Sequence, residues 1–143
     1  MYPEIMVIPM REELTRLGAE ELRSAADVDR FVQNESGTNM LVVNSICGCA
    51  AGRMRPAVRL ALQNAIKPGK IATVFAGQDV EATARARAHF AGYPPSSPSI
   101  AILRDGKVIY MMHRHQIETR DASSIAADLK AAFDQHCAVV AAR

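Results

Sequence analysis

The 143-residue sequence shows little charge imbalance, no long apolar run, no visible secretory signal and no dense set of cysteines, and each of these argues against a class of function. Seventeen Lys and Arg against fifteen Asp and Glu leave a formal charge of +2. The basic residues are scattered rather than gathered into a stripe, so no nucleic-acid partner is expected. The longest uncharged stretch, Ser36 to Gly52, carries Asn39, Asn44, two Ser and three Gly, and is too polar and too short to span a bilayer. Met1 to Met10 contains Glu4 and two prolines with no basic segment ahead of an apolar run, so no secretory signal is read. The expectation is a cytoplasmic, non-membrane protein whose cysteines are normally reduced. With 49% hydrophobic and 22% charged residues, the composition suits one soluble globular domain over residues 1–143. A chain of this length buries roughly 70% of its unfolded surface without help from metal or disulfide. Cysteines that cluster therefore need a chemical explanation.

The pattern from Met10 to Gln33 is helical, with Leu14, Leu17, Ala19, Leu22 and Ala26 on one side and Arg16, Glu20, Glu21 and Arg23 on the other. Asp27 is a candidate N-cap for a second short helix within this stretch. Residues 1–35 thus read as a helical extension, able to cover a sheet face or to form an interface. Met40 to Ser45 is a β-branched apolar run expected as a central strand buried on both faces. The Cys47-Gly48-Cys49 segment follows, and Ala50 to Ile66 repeats apolar residues at helical spacing until Pro68-Gly69. Ile71 to Ala76 reads as a second buried strand, and Asp79 can cap an Ala-rich helix to about Ala91. Ser99 to Leu103 and Lys107 to Met112 flank Asp105-Gly106, a hairpin signal, and a last helix runs from about Asp121 to Val139. The sum is an α/β fold, a βαβαββα core over residues 40–139 with a sheet flanked by helices.

Two thiols one residue apart, at the junction of a buried strand and a helix, are the most informative feature. A helix start presents unpaired N–H groups and the positive end of the dipole, which favours a thiolate. Cys47, first in line and outside the helix proper, gains most and is the expected nucleophile. Arg53 and Arg55, within two turns, would add positive potential if they pointed back. Gly48 suits a disulfide between residues i and i+2, which needs an unusual backbone and should be easily reduced. A different reading leaves the pair as a soft-metal-binding or metal-delivery module, with His113, His115, His136 and Cys137 as further ligands if folding gathers them; no second ligand pair has the usual spacing. A third is a non-catalytic interaction domain with unreactive thiols. The prolines at 94, 95 and 98 form an ordinary rigid loop on composition alone. His113, Arg114 and His115, at the end of the fourth strand, could lie near the thiols, but a mixed polar trio at a strand end reads first as a solvated rim and receives no catalytic assignment; Cys137 reads as a packed or half-exposed free thiol.

The strand ending in Asn44-Ser45, then Cys47-Gly48-Cys49-Ala50-Ala51-Gly52 and Arg55-Pro56, resembles the bacilliredoxins, small thioredoxin-like proteins. The resemblance extends over Phe75-Ala76-Gly77-Gln78-Asp79, Pro94-Pro95-Ser96-Ser97-Pro98-Ser99, Arg114-His115-Gln116-Ile117-Glu118, Ala131-Ala132-Phe133-Asp134 and His136-Cys137. It implies a thioredoxin-like fold with a central mixed sheet, and a thiol-disulfide oxidoreductase that removes bacillithiol from mixed disulfides on client proteins. Cys47 would take bacillithiol onto itself, and Cys49 or a second low-molecular-weight thiol would release it. Reductase or isomerase activity is a related implication. Bacillithiol is then substrate or co-substrate, and no cofactor or metal is bound. Ser97-Pro98 is the bond implied to be cis, next to the thiols, where the backbone edge would hold substrate. The single residue between the thiols departs from the Cys-x-x-Cys of thioredoxins and puts in doubt the behaviour of an ordinary thioredoxin reductant.

Overall fold

A computed structural model describes residues 1–34 and 37–138. The apolar run after position 37 does form the centre of the fold. Strand β2 (Thr38–Asn44) lies between β3 (Lys70–Phe75), parallel to it, and β4 (Ser99–Arg104), antiparallel. β5 (Lys107–Met112) pairs with β4, and a two-residue strand β1 (Glu20–Glu21) pairs in parallel with β3, giving the order β1-β3-β2-β4-β5. The β4–β5 hairpin turns at Asp105 and Gly106, both with positive φ (50° and 83°), the backbone that an Asp-Gly turn supplies.

Alternation along β2 divides the core. Met40 and Val42 face one layer with Met54, Val58, Ile125, Leu129 and Phe133, while Leu41 and Val43 face the other with Val28, Phe31, Ala82 and Ala86. Helix α3 (Arg55–Ala61) and helix α6 (Ala122–His136) cover the first face; α2 (Ala25–Asn34) and α4 (Val80–His89) pack together on the second. α6 ends at His136, with Cys137 as its C-cap, so it is shorter than the sequence pattern suggested; Val139 lies outside the described residues.

The N-terminal extension is not helical throughout. α1 (Glu4–Thr15) begins well before Met10 and tolerates Pro9, and the chain then enters β1 before α2. Two glutamates carry no strand pattern of their own; they become a strand because the free edge of β3 offers backbone partners. α1 turns Val7, Arg11 and Leu14 inward and leaves Ile5, Met6 and Ile8 exposed. At the start of α2 the cap is Ser24, whose Oγ accepts from the Asp27 N–H at 3.1 Å, while Asp27 reaches back to the Arg23 N–H at 3.0 Å. Asp27 thus sits in the first turn rather than at the cap. Asp79 does occupy the N-cap position of α4, but its carboxylate is turned to Arg11 at 2.6 Å instead of capping.

Candidate active site

The thiol pair sits where β2 ends and the next helical segment begins, on the carboxyl side of the parallel strands β2 and β3. The Cys47 carbonyl accepts from the N–H groups of Ala50 (3.0 Å) and Ala51 (3.1 Å), so Cys47 is the residue that opens the helical segment and Cys49 lies in its first turn. The segment does not continue as a plain α-helix. Ala50–Met54 forms a π-helical turn before α3, closed by the Arg55 N–H bonding to the Ala50 carbonyl. Pro56 explains the widening, since it has no N–H to donate to the Gly52 carbonyl and its ring needs room on that side. The expected helix from Ala50 to Ile66 is therefore two pieces and ends in turns after Ala61.

A buried polar knot fixes the end of β2. Asn44, fully buried, donates from Nδ2 to the Met10 carbonyl (3.2 Å) and accepts at Oδ1 from the Ser45 N–H (2.9 Å) and Arg55 Nη1 (3.0 Å). Arg55 also donates to the Ser45 carbonyl at 3.0 Å, and its Nε lies 3.1 Å from Glu13 Oε2 at an angle too poor for a hydrogen bond. Arg55 thus points back toward the strand, but it spends its donors on the strand end rather than on the thiols. Arg53 points away and donates to the Arg120 carbonyl at 2.7 Å.

The group that reaches the nucleophile is Ser45. Its Oγ donates to Cys47 Sγ at 3.2 Å and accepts from the Cys47 N–H at 3.3 Å. Partial burial pushes the Cys47 thiol up, but the hydrogen bonds from Ser45, the Ala50 N–H, the Cys49 thiol and the Cys49 N–H outweigh it and hold Cys47 below the ordinary thiol range. Cys49 moves the other way. Burial, the neighbouring Cys47 charge and its hydrogen bond to Cys47 raise it, Arg114 opposes, and Glu118 adds to the rise. All three cysteines are free thiols.

Helix α5 (Arg114–Glu118), absent from the sequence pattern, carries a second contact to which the sequence assigned no role. Arg114 Nη2 lies 3.8 Å from Cys49 Sγ, Nη1 donates to the Ser97 carbonyl at 3.1 Å, and Nε pairs with Glu118 at 2.9 Å. The Arg114 N–H also donates to Ser96 Oγ at 3.3 Å. The Ser97–Pro98 bond is cis, and Arg114 ties its loop to the thiol pair. Arg114 therefore belongs beside the thiols, whereas the sequence placed it on a solvated rim; His113 and His115 stack on each other, 5.7 Å between ring centres, at that rim. Nothing local to Arg114, 65 residues beyond Cys49, signals the contact; only the β5–α5 turn brings it back.

The metal ligands weighed from sequence do not converge. Cys137 interacts with Thr38, at the opposite end of β2 from Asn44, roughly 20 Å from the thiol pair at strand rise per residue. Among the described residues no group of three or more His, Cys, Asp or Glu side chains could hold a metal ion, and no helix is long and apolar enough to cross a membrane.

A family described as Disulphide isomerase matches residues 2–137. The chain is 60% identical over 141 residues to a bacilliredoxin of Koribacter versatilis, covering 99% of this chain and 97% of that one. It is 49% identical to a bacilliredoxin of Bacillus cereus over 95% of each. Among solved structures, the oxidised thioredoxin of Plasmodium falciparum shares the fold with a TM-score of 0.59 at 14% identity, over 84% of this chain and 99% of that one. The thioredoxin of Fasciola hepatica does so with 0.56 at 20% identity, over 82% and 98%. With a mixed five-stranded sheet, a thiol pair at its strand-to-helix junction and full-length relatives at such identity, the chain belongs to the bacilliredoxin family of thioredoxin-like thiol-disulfide oxidoreductases.

Proposed function

We propose that this chain removes bacillithiol from mixed disulfides on cytoplasmic client proteins, with Cys47 as the nucleophile and Cys49 as the resolving thiol. The observation that carries this reading is the asymmetry of the pair: Cys47 opens the helical segment under a hydroxyl donor at 3.2 Å and is lowered, while Cys49 is raised. A thiolate is the attacking species in exchange, and a modest lowering near ambient pH keeps it nucleophilic. The Cys47 thiolate attacks the bacillithiol sulfur, the client thiolate leaves and takes a proton from water, and bacillithiol stays on Cys47. Cys49 then attacks Cys47 Sγ, closing the Cys47–Cys49 disulfide and expelling bacillithiol; alternatively a second bacillithiol performs this release. Ser97 and Pro98, tied to the thiol pair through Arg114, are the proposed substrate-binding edge. Bacillithiol is a substrate here and not a resident cofactor.

The test is anaerobic incubation of the reduced protein with a bacillithiolated client, followed by intact mass and peptide mapping. An adduct on Cys47, absent in Cys47→Ser with turnover lost by at least about a thousandfold, is expected. Release of bacillithiol by Cys47→Ser at the wild-type rate would sink the assignment.

A further inference from the structure

Resting on that reading of Cys47 and Cys49, we propose that Arg114 is a catalytic residue of the resolving step: its guanidinium, 3.8 Å from Cys49 Sγ, holds Cys49 as the thiolate that attacks the mixed disulfide on Cys47. The need for such a group follows from the order of events. While Cys47 is a free thiolate, its negative charge stands beside Cys49 and keeps the second thiol protonated, which prevents two adjacent anions. Once Cys47 carries bacillithiol, that charge is gone. Cys49 must then lose its proton, and its partly buried site offers few donors to stabilise the anion.

Arg114 is built to supply one. Its planar fork is fixed on three sides, by Glu118 at Nε, by the Ser97 carbonyl at Nη1 and by Cys49 at Nη2. A guanidinium anchored in this way loses little rotamer freedom when the thiolate forms. The other charged or titratable groups around Cys49 are Cys47, two residues before it, and Glu118 on α5, with His113 and His115 flanking Arg114. Arg53, four residues on, is held at the Arg120 carbonyl, and Asp121 caps α6 through the Ser124 N–H. Arg114 is thus the cation placed on the resolving sulfur.

The step balances without an external oxidant. Cys49 thiolate attacks Cys47 Sγ, the Cys47–Cys49 bond forms, and the bond from Cys47 to the bacillithiol sulfur breaks. The electron pair leaves with bacillithiol thiolate, which takes a proton from solvent. In this step the Cys49 sulfur is oxidised, the bacillithiol sulfur is reduced by the same amount and Cys47 keeps its disulfide oxidation level; over the whole cycle the two protein thiols lose the two electrons that the client's mixed disulfide gains.

The experiment forms the Cys47–bacillithiol adduct by mixing reduced protein with oxidised bacillithiol, then follows adduct formation and adduct loss separately by quenched mass spectrometry from pH 5.5 to 9.5. Wild type, Arg114→Gln and Arg114→Lys are compared. In Arg114→Gln the adduct should live about tenfold longer at pH 7, with formation slowed less than loss. Its profile for adduct loss should shift to higher pH and meet or cross the wild-type curve at the alkaline end, where Cys49 ionises unaided. Arg114→Lys should recover part of the deficit because it keeps the charge. Equal adduct lifetimes at pH 7, or a deficit undiminished at alkaline pH, would overturn the proposal while leaving Cys47 as the nucleophile. No adduct in wild type would instead overturn the proposed function, and this inference with it.

Discussion

Two arginines organise two regions of this molecule, and their surroundings give the same side chain opposite tasks. Arg11, with a side chain 7% exposed, is locked among Glu4 (2.8 Å), Glu21 (2.9 Å) and Asp79 (2.6 Å), where α1 meets β1 and the start of α4. Arg114, with a side chain 44% exposed, touches one carboxylate, one carbonyl and one sulfur at the thiol site. In the first region Arg11, Glu21 and Asp79 are largely shielded from water, so these charges depend on one another, with Glu4 at the open edge. In the second, water screens the charges and the arginine is free to serve a reacting atom. A buried ion cluster holds the fold together only while complete; an exposed one can be altered with the fold intact.

The largest effect that tests this contrast is on stability. Arg11→Met leaves the largely buried Glu21 and Asp79 without their shared cation, with only the half-exposed Arg23 still beside Asp79, and urea denaturation should show a loss of about 3–5 kcal/mol. Arg114→Gln should leave the urea midpoint essentially unmoved. If the two variants lost equal stability, the division between a structural and a reactive arginine would fail.

Next in size is the nucleophile. Ser45→Ala removes the hydroxyl that donates to Cys47 Sγ, a bond of order 1 kcal/mol, so the rate of Cys47 alkylation at pH 7 should fall about fivefold. The sign is fixed by what the bond favours: Ser45 stabilises the thiolate, its loss raises the Cys47 pKa, and the deficit should vanish at pH well above both values. A uniform deficit across pH would mean that Ser45 acts on access or fold instead.

The buried cluster makes its own pH prediction. With Arg23 near Asp79 and Glu4, two cations face three carboxylates, and Glu21 Oε1 has no hydrogen-bond partner. Burial pushes Glu21 up to about 7, against the pull of Arg11 and with help from Asp79. A carboxyl raised on folding contributes stability that is complete below its unfolded value and is lost as pH rises through about 7. Glu21→Gln removes that loss, so its stability relative to wild type should improve between pH 5 and 8. Parallel pH curves for the two proteins would show that Glu21 stays ionised beside Arg11.

What could be read from sequence follows from the range of each interaction. β5 was bounded to the residue, and β2, β3 and β4 nearly so, because alternation and β-branching are local and the Asp-Gly turn fixes the hairpin. Cys47 and Cys49 stood out because a strand, a turn and a helix start are adjacent in the chain. β1 and α5 were not legible, since Glu20-Glu21 becomes a strand only on the edge of β3 and five residues make too short a period to register. The π turn depends on what Pro56 withholds from Gly52, a backbone effect that hydrophobic spacing does not display. Arg114 and Ser45 were both visible as residues, but their roles come from where their atoms end up: one crosses 65 residues to Cys49, the other turns its hydroxyl forward by two.

Gly48 carries the smallest predicted effect and separates the reduced site from the oxidised one. In the dithiol its φ is outside the left-handed region, and a Cβ there would meet nothing within 4 Å. The reduced fold therefore has no need of glycine at this position, which is already helical. Gly48→Ala should leave the reduced protein as stable as wild type or slightly more so, by up to about 1 kcal/mol from helix propensity. Closing a disulfide across one residue asks for a backbone that an alanine adopts less readily. The variant's thiol-disulfide equilibrium against a reference dithiol should therefore move toward the dithiol, raising the reduction potential while the reduced fold is unchanged. If that equilibrium does not move, the glycine between the thiols serves neither state, and the requirement for it lies in how substrate approaches Cys47.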